Sequence, residues 1–464
     1  MIVNRRHFLR LGALGLSLPQ ILSLPSRAAL RPFPGGPRLG AGGKAKSCIV
    51  LFAWGGISHL DTWDPKPDAP SEIRGEFRPI RTSVPGIQIG EHLPRLARRM
   101  HQLAIVRSVT HQAPSHRSAA YWNLTGHPPP NLSGNWEATR LDHPCLGALA
   151  QAAMEATHDP RLRASPLPST VALPYTMADG GRANGQDGGF LGLKYDPVIL
   201  RPDAGVPYAG VSPASRALHL DLPPGMTPER LGDIRGLANS FERLGSSANG
   251  AETESYLRAR EKAYDMLLRP AVREAFDLRR EPPQLREAYG NHICGQSALM
   301  ARRLTEAGIP LVTVYCAAGD LNGSVGDHFD THGDNFNRLR KTMLPPLDQA
   351  SAALLEDLTQ RGTLDETLIC WLTEFGRTPK VNPSAGRDHY PNCYSVAFAG
   401  GGIQGGRVYG RSDFSGAEPS ELGCGPEDLH ATIFQAMGID PGLQLSSLDG
   451  RPFPLCTGKA LELF

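Results

Sequence analysis

Five apolar runs in this chain lack the polar–apolar alternation of a half-exposed strand, and side chains that can bind metals follow several of them. The runs are residues 48–54, 103–108, 311–316, 367–372 and 394–399. Continuous apolar runs of this length are typical of strands that are covered on both faces, as in a parallel sheet. Ligands of such sheets bind beyond the carboxyl ends of the strands. The sequence therefore predicts an α/β fold with its functional site at that edge.

The run 367–372 leads into Glu374, and Arg387, Asp388 and His389 follow after a short loop. Carboxylate and imidazole ligands at the end of a strand are what a metal-assisted hydrolase requires. Glu374 alone fits an arginine–glutamate surface pair equally well. Together with a second His–Asp cluster upstream, the group favours a metal site with Glu374, Asp388 and His389 as ligands.

The upstream cluster holds two histidines and three aspartates between residues 327 and 334. Asp330 and His332 are two positions apart, so in an extended segment both side chains point to the same side. That arrangement suits joint coordination of one ion, whereas a solvated loop does not require this density of ligand-type residues. Asp330 and His332 are therefore candidate metal ligands.

A glycine-rich turn after the first apolar run leads to Asp61 and Asp64. An acidic residue just past the first strand occupies the usual ligand position of a doubly wound fold. Either aspartate could instead cap a turn, and this alternative is strongest for Asp64. Asp61 is the candidate ligand.

Residues 110–127 present histidines and serines before a helix of small residues that stops at Gly126. A helix N-terminus attracts anions, and a hydroxyl there can act as a nucleophile if a metal or base lowers its pKa. Ser118 is the candidate nucleophile, with His116 as base, metal ligand or leaving-group acid. Helix capping is the competing role for a serine here, and for Ser115 it is the favoured one.

The first 29 residues resemble a twin-arginine export signal. Arg5 and Arg6 precede an apolar run over residues 11–24, and residues 26–28 form a small-x-small cleavage site. A membrane anchor is the alternative, but the run is shorter than the ~20 residues of a span. We expect the twin-arginine translocase to export the folded protein to the periplasm or beyond, without stable membrane insertion.

The rest of the chain is organised as a linker over residues 30–46 and one domain over residues 47–464. A helical and loop-rich insertion is expected around residues 127–290. The net charge of +2 predicts no attraction to nucleic acid. None of the eight cysteines forms a Cys-x-x-Cys pair, which argues against a zinc ribbon.

Four motifs resemble a family of exported bacterial proteins called domain of unknown function 1501. They lie at residues 52–67, 330–336, 373–379 and 385–389, and the resemblance covers nearly the whole mature chain. The family is grouped with the alkaline-phosphatase-like superfamily of sulfatases, phosphatases and phosphomutases. The resemblance implies a three-layer fold with a central, mostly parallel sheet, helices on both faces and a metal site at the carboxyl edge.

The resemblance also assigns individual residues. It places Asp61 at the first-strand aspartate, residues 118–126 at the nucleophile-bearing helix, and Asp330, His332, Glu374 and His389 at metal-site positions. Two departures stand out. The Cys-x-Pro-Ser-Arg of sulfatases is absent. Glu374-Phe375-Gly376 replaces the usual Asp-His-Gly, so one imidazole is missing unless Asp388 or His389 replaces it.

Two functions remain open from the sequence. The first is an exported, metal-dependent hydrolase of phosphate or sulfate esters with one or two divalent ions (zinc, manganese, magnesium or calcium). Ser118 would attack, and Arg117 or Arg387 would hold the anionic ester, since a guanidinium suits that geometry. The second is a catalytically degenerate exported binding or scaffold protein that retains the fold. Dispersed candidate side chains would favour the scaffold.

Overall fold

A computed structural model gives the fold of the chain from residue 43 to residue 464. It describes all of this range except residues 135, 165–166, 202–221, 223–224, 245–256, 258–259, 262, 266, 318 and 323–325. The predicted signal at residues 1–29 lies outside the described residues, as does the predicted linker up to residue 42.

Sixteen strands occur in the described residues. They are β1 Ser47–Phe52, β2 Pro79–Arg81, β3 Gln88–Gly90, β4 Leu103–Val109, β5 Thr170–Leu173, β6 Val198–Ile199, β7 Leu311–Tyr315, β8 Thr367–Leu372, β9 Gly376–Arg377, β10 His389–Tyr390, β11 Tyr394–Ala399, β12 Arg407–Tyr409, β13 Arg411–Ser412, β14 Pro419–Glu421, β15 Gln444–Ser446 and β16 Pro452–Pro454. Eight of them form the central sheet, in the order β12-β4-β11-β8-β1-β7-β5-β6.

Most neighbours in this sheet are parallel. β1 lies between β7 and β8 and is parallel to both, and only β11 runs antiparallel to its neighbours β4 and β8. The carboxyl ends of β1, β4, β7 and β8 consequently meet at one edge. Every residue of β1 and β8 is buried, as their continuous apolar runs predict.

Twelve α-helices are resolved among the described residues. They are α1 Ser71–Arg74, α2 Pro94–Ala97, α3 His116–Thr125, α4 Leu146–Ala156, α5 Pro160–Ala164, α6 Pro228–Leu244, α7 Pro270–Ala275, α8 Pro283–Tyr289, α9 Ile293–Glu306, α10 Asn335–Arg338, α11 Leu344–Gln360 and α12 Pro426–Ala436.

Helices cover both faces of the sheet. On one face, the indole N–H of Trp371 in β8 donates to Ser351 Oγ in α11 at 2.7 Å. On the other face, Val50 of β1 shares a small cavity with Leu124 of α3 and Leu146 of α4. The sheet is thus the middle of three layers, which confirms the predicted fold class.

Two further stretches of the chain contribute strands to the central sheet. Residues 407–409 form β12, which joins the central sheet parallel to β4. The stretch predicted as an insertion, 127–290, contributes β5 and β6 to the sheet beside β7. All eight cysteines are free thiols. Among the described residues, no helix combines the length and hydropathy that a membrane span requires.

Candidate metal centre

Four predicted site residues meet at the carboxyl edge of the sheet. His116 is the first residue of α3, which follows β4. Asp330 and His332 lie between β7 and α10, and His389 opens β10. Because β4, β7 and β8 end at this edge, the fold brings residues more than 200 positions apart into one cluster.

The three histidine side chains converge on one oxygen atom of the fourth residue, Asp330 Oδ1. The Nε2 atoms lie 3.2 Å away in His116, 3.1 Å away in His332 and 3.2 Å away in His389. His332 Nε2 and His389 Nε2 are 2.9 Å apart. The ligand atoms of His116, Asp330 and His389 all lie within 4.8 Å of one another. This group is a compact set of three imidazoles and one carboxylate.

Each imidazole is held at its other nitrogen by an oxygen atom. His116 Nδ1 lies 2.8 Å from Glu374 Oε1, and His332 Nδ1 lies 2.7 Å from Asp388 Oδ1. His389 Nδ1 donates to the carbonyl oxygen of Pro114 at 2.9 Å. A carbonyl or an ionised carboxylate can only accept, so the proton of each neutral ring resides on Nδ1.

The Nε2 atoms therefore turn their lone pairs toward the centre of the cluster. His116 Nε2 is buried and makes no hydrogen bond of acceptable geometry in the structure. Lone pairs that face one another repel unless a cation or protons lie between them. Histidine ligands of metals commonly donate their second N–H to a carboxylate or carbonyl, as all three rings do here. The residues present thus fit a divalent metal ion.

The pKa shifts within the cluster also bear on whether a cation would bind there. Burial opposes ionisation of Asp330, but hydrogen bonds from the imidazoles in their protonated form and the charge of Arg377 outweigh it and hold the pKa of this carboxyl far below its usual range. Burial alone would lower the pKa of His116, but the carboxylates of Asp330 and Glu374 raise it. Contact with Asp330 raises the pKa of His332. Burial lowers the pKa of His389, so positive charge is favoured at two of the three rings. A bound metal ion supplies positive charge to the centre in place of these protons.

Glu374 is placed behind His116 rather than in the centre itself. It is fully buried, and Oε1 also accepts from the backbone N–H of Gly55 at 2.8 Å. Its own carbonyl oxygen lies 2.7 Å from His111 Nε2 and accepts from Asn123 at 2.8 Å. These contacts fix the carboxylate as a partner of the His116 ring, whereas the sequence suggested a direct ligand.

Gly55 is required for this packing. Its φ is +110°, a value that favours glycine, and a Cβ atom there would lie 2.4 Å from the backbone nitrogen of Asp330. The turn after β1 can therefore approach both Glu374 and Asp330 only because the residue has no side chain.

Asp388 is the corresponding partner of His332. Its side chain is half exposed, and Oδ1 also accepts from Asn382 Nδ2 at 3.2 Å. Like Glu374, Asp388 was predicted as a metal ligand. It instead contacts Nδ1 of His332, the ring nitrogen that faces away from the centre. In both cases the carboxylate orients a ring, fixes its tautomer and makes Nε2 a stronger ligand.

Asp61 and Arg387 are paired with each other. Arg387 Nε and Nη2 lie 2.9 and 3.2 Å from the two carboxylate oxygens of Asp61, and both side chains are fully buried. Asp61 also accepts from Asn335 at 3.0 Å. Asp61 was predicted to bind the metal ion and Arg387 to hold the ester. Because the two side chains bind each other, neither is directed at the cluster.

The Ser118 hydroxyl is directed at backbone oxygens. It donates to the carbonyl of Leu132 at 2.7 Å and lies 3.1 Å from that of Ser115. Neither carbonyl can take its proton, so these contacts give Ser118 a structural role in α3. Arg117, its neighbour, contacts the Trp136 carbonyl oxygen at 2.6 Å and Asn184 at 3.4 Å, both neutral acceptors.

Sequence reasoning missed two side chains of the centre. Arg377 is fully buried, and its Nη2 lies 2.6 Å from Asp330 Oδ1. Phe375 is also fully buried, and its ring centroid lies 4.9 Å from that of His116 and 4.7 Å from that of His389. Both lie within the motif after β8. The sequence marks Phe375 only as the residue at the usual histidine position, and nothing in it indicates that Arg377 is buried against Asp330.

The fold and the cluster together define an α/β protein with a histidine-rich candidate metal centre at the carboxyl edge of a mostly parallel sheet. The sequence matches the family described as "Protein of unknown function (DUF1501)" over residues 45–463. The chain belongs to that family. No curated protein sequence matches it.

Solved structures with low sequence identity are similar to the chain. One is a protein in the alkaline phosphatase superfamily from Vibrio parahaemolyticus, with 11% identity, a TM-score of 0.37, and coverage of 91% of this chain and 76% of that chain. The PsFucS1 sulfatase from Pseudoalteromonas sp. has 11% identity, a TM-score of 0.35 and coverage of 85% and 68%. The phosphonate monoester hydrolase SpPMH from Silicibacter pomeroyi has 14% identity, a TM-score of 0.36 and coverage of 90% and 78%.

Proposed function

We propose that this protein is an exported, divalent-metal-dependent hydrolase of phosphate or sulfate esters. The observation that carries the proposal is the convergence of three imidazole Nε2 atoms on one carboxylate oxygen. His116, Asp330, His332 and His389 would hold the ion, a different set from the one that the sequence suggested. When bound, a divalent ion supplies Lewis-acid polarisation of the ester and lowers the pKa of a nucleophile.

The surrounding residues prepare the centre for this task. Glu374, Asp388 and the carbonyl of Pro114 keep the Nδ1 protons in place, so the rings present Nε2 inward. Arg377 keeps Asp330 ionised and oriented. The exposed side chain of His332 marks the side on which an ester would approach.

Two features support an anionic substrate. His116 is the first residue of α3, so the positive end of this helix lies beside the cluster. Arg117 follows it, and its guanidinium has neutral partners, which leaves its charge available to a phosphate or sulfate group. Of the two arginines suggested by the sequence, Arg117 is therefore the better candidate.

Export is part of the proposal and rests on the amino-terminal sequence alone. The paired arginines, short apolar run and small-x-small site match a twin-arginine signal. Secretion by this route would release residues 30–464 in folded form, with periplasmic or extracellular localisation. Fractionation of cells with and without a functional twin-arginine translocase tests it, and equal secretion from both would contradict it.

The test of the enzyme proposal begins with the mature protein purified without chelator. We expect bound divalent metal that is lost in the His389→Ala variant, and hydrolysis of aryl phosphate or aryl sulfate esters that is lost with it. Absence of bound metal, together with no thermal stabilisation by added zinc, manganese, magnesium or calcium, would reject the hydrolase.

A non-catalytic binding or scaffold protein is the second candidate. It is favoured by the contacts of Ser118 with two carbonyl oxygens and by the mutual pairing of Asp61 and Arg387. Under this alternative the mature protein would bind a metal ion and hydrolyse none of the esters. Metal binding without activity toward any phosphate, phosphonate or sulfate ester would support it.

A further inference from the structure

We infer that the centre holds a single ion of the kind that prefers nitrogen ligands, because Arg377 and Phe375 occupy the space that a second ion would need. The inference rests on the metal site of the proposed function. It specifies the number of ions in that site and the kind of metal. The sequence left open both the number of ions and a choice that included magnesium and calcium.

The donor atoms determine the kind of ion. Three imidazole nitrogens and one carboxylate oxygen suit zinc and the neighbouring transition metals, whereas magnesium and calcium require oxygen ligands. Around one tetrahedral ion with bonds of ~2.0 Å, ligand atoms are roughly 3.3 Å apart. Asp330 Oδ1 lies 3.1 to 3.2 Å from all three Nε2 atoms, and the Nε2 atoms of His332 and His389 are 2.9 Å apart, so these four distances are close to that spacing.

Arg377 places a fixed positive charge where a second ion would share Asp330. Its Nη2 lies 2.6 Å from Asp330 Oδ1, the same oxygen that faces the three imidazoles. Its Nε donates to the Gly56 carbonyl at 2.9 Å and its Nη1 to the Arg387 carbonyl at 3.1 Å, and Nη2 also reaches the Gly55 carbonyl. Paired metal ions lie about 3.5–4 Å apart. The immobilised guanidinium occupies one side of Asp330 Oδ1, the oxygen that two ions would have to share, and its charge would repel a second ion.

Phe375 closes another side of the centre with a ring that offers no ligand atom. The ring packs against His116 and His389, and the Arg377 guanidinium lies 5.7 Å from its centroid. A Cβ atom on Gly56 would lie 2.5 Å from the Phe375 ring, so the ring is tightly packed against the backbone at Gly56. The centre is thus bounded by an aromatic ring and a guanidinium, and it opens to solvent at His332.

The experiment is a metal titration of the mature, metal-free protein, followed by elemental analysis. Zinc and cobalt are each expected to saturate at one equivalent, and millimolar magnesium or calcium is expected not to displace cobalt. The absorption spectrum of the cobalt protein should show a four- or five-coordinate ion. These readouts do not depend on any enzymatic activity.

Two variants test the reason for the single ion. Phe375→His combined with Arg377→Met supplies an imidazole and removes the charge, so a second equivalent should bind. Phe375→His combined with Arg377→Lys retains the charge and should still bind one. Thermal unfolding checks that both variants fold, and the wild-type stoichiometry decides the question if they do not.

The possible failures are distinguishable. No metal in the wild-type protein would overturn the proposed function. Two equivalents in the wild-type protein, or displacement of cobalt by magnesium or calcium, would overturn the inference and leave the proposed function standing. A single equivalent in the Phe375→His/Arg377→Met variant, once folded, would show that these residues do not limit the number of ions.

Discussion

The carboxylate of Asp61 and the guanidinium of Arg387 form a fully buried, two-contact ion pair between residues 326 positions apart in the sequence. The pair joins the turn after β1 to the loop before β10. Arg387 also donates to the carbonyls of Ile73 and Thr378. Arg387 therefore holds together several chain segments near the candidate metal centre.

Removing one partner of this pair should destabilise the protein strongly. Asp61→Asn or Arg387→Met leaves an uncompensated buried charge, and we expect a loss of about 3–5 kcal/mol in the free energy of unfolding. The exposed pair of Arg340 and Glu76 is the control, and Arg340→Met should cost less than about 1 kcal/mol. Urea unfolding measures both. Loss of metal from a stable Asp61→Asn variant would instead indicate that Asp61 is a ligand.

Loss of Asp388 should weaken metal binding without harming the fold. Asp388 is half exposed and orients His332 through Nδ1. Replacing such a partner of a ligand typically costs 10- to 100-fold in metal affinity, so Asp388→Asn should fall in this range. Competition with a chelator measures the affinity, and thermal unfolding of the metal-free protein should be unchanged. An unaltered affinity would contradict the assigned role.

Gly55→Ala should disturb the centre through the backbone. The added methyl would lie 2.4 Å from the nitrogen of Asp330, on a backbone with φ of +110°. Gly86 is a matched control, because its φ is +86° and no atom lies within 4 Å of its Cβ position. Both variants should lose about 1 kcal/mol or more from the strained φ. Only Gly55→Ala should also lose metal affinity, and equal affinities in the two would refute this account.

Ser118→Ala should leave ester hydrolysis within a few-fold of the wild-type rate if the proposed function holds. Its hydroxyl contacts carbonyl oxygens that cannot act as a base. We expect a stability loss of about 1 kcal/mol for the missing hydrogen bond. Steady-state kinetics with the best ester of the screen provide the measurement. A folded variant with more than 100-fold lower kcat would restore Ser118 as the nucleophile that the sequence suggested.

His430 should make the protein less stable in acid. Its Nε2 donates to the Asn123 carbonyl at 2.9 Å, its Nδ1 is buried without a partner, and burial lowers its pKa to about 4. The unfolded chain, with an ordinary pKa near 6.5, binds the proton more readily, so stability falls as the pH drops from about 6.5 to about 4. The lowered pKa corresponds to a loss of about 3 kcal/mol over this window.

The variant His430→Gln retains a donor for the Asn123 carbonyl and removes the titrating group. Its free energy of unfolding should therefore depend less steeply on pH between 6.5 and 4 than that of the wild type. Urea unfolding at several pH values gives both slopes. Identical slopes would mean that other groups cause the acid sensitivity.

The sequence predicts the central strands well because their pattern is local. β8 and β11 coincide with the runs 367–372 and 394–399 residue for residue, since a strand buried on both faces is mostly apolar. The place of β12 in the sheet was harder to predict from the sequence. Residues 407–409 are only half-buried, and their pairing with β4 depends on distant chain segments. Pairing, unlike strand identity, is a property of the whole fold.

The candidate centre was only partly predictable for the same reason. The density of His and Asp near residue 330 marks a cluster, but composition does not separate a ligand from the carboxylate behind it, as for Glu374 and Asp388. The Pro114 carbonyl, which holds the His389 ring, has no side-chain signal at all. The pairing of Asp61 with Arg387 spans most of the domain and so leaves no local trace.

The position of β1 also sets an order of events during synthesis. The first strand of the sheet pairs with β7 and β8, and Ser47 meets Thr367 across 320 residues. At 5–20 residues per second, a ribosome needs roughly 15 to 60 s to deliver that partner. Until then β1 exposes unpaired backbone and apolar side chains, which is a liability for aggregation. A nascent chain that stops before residue 372 cannot complete the middle of its sheet, so the central strands come together only after most of the polypeptide has been made.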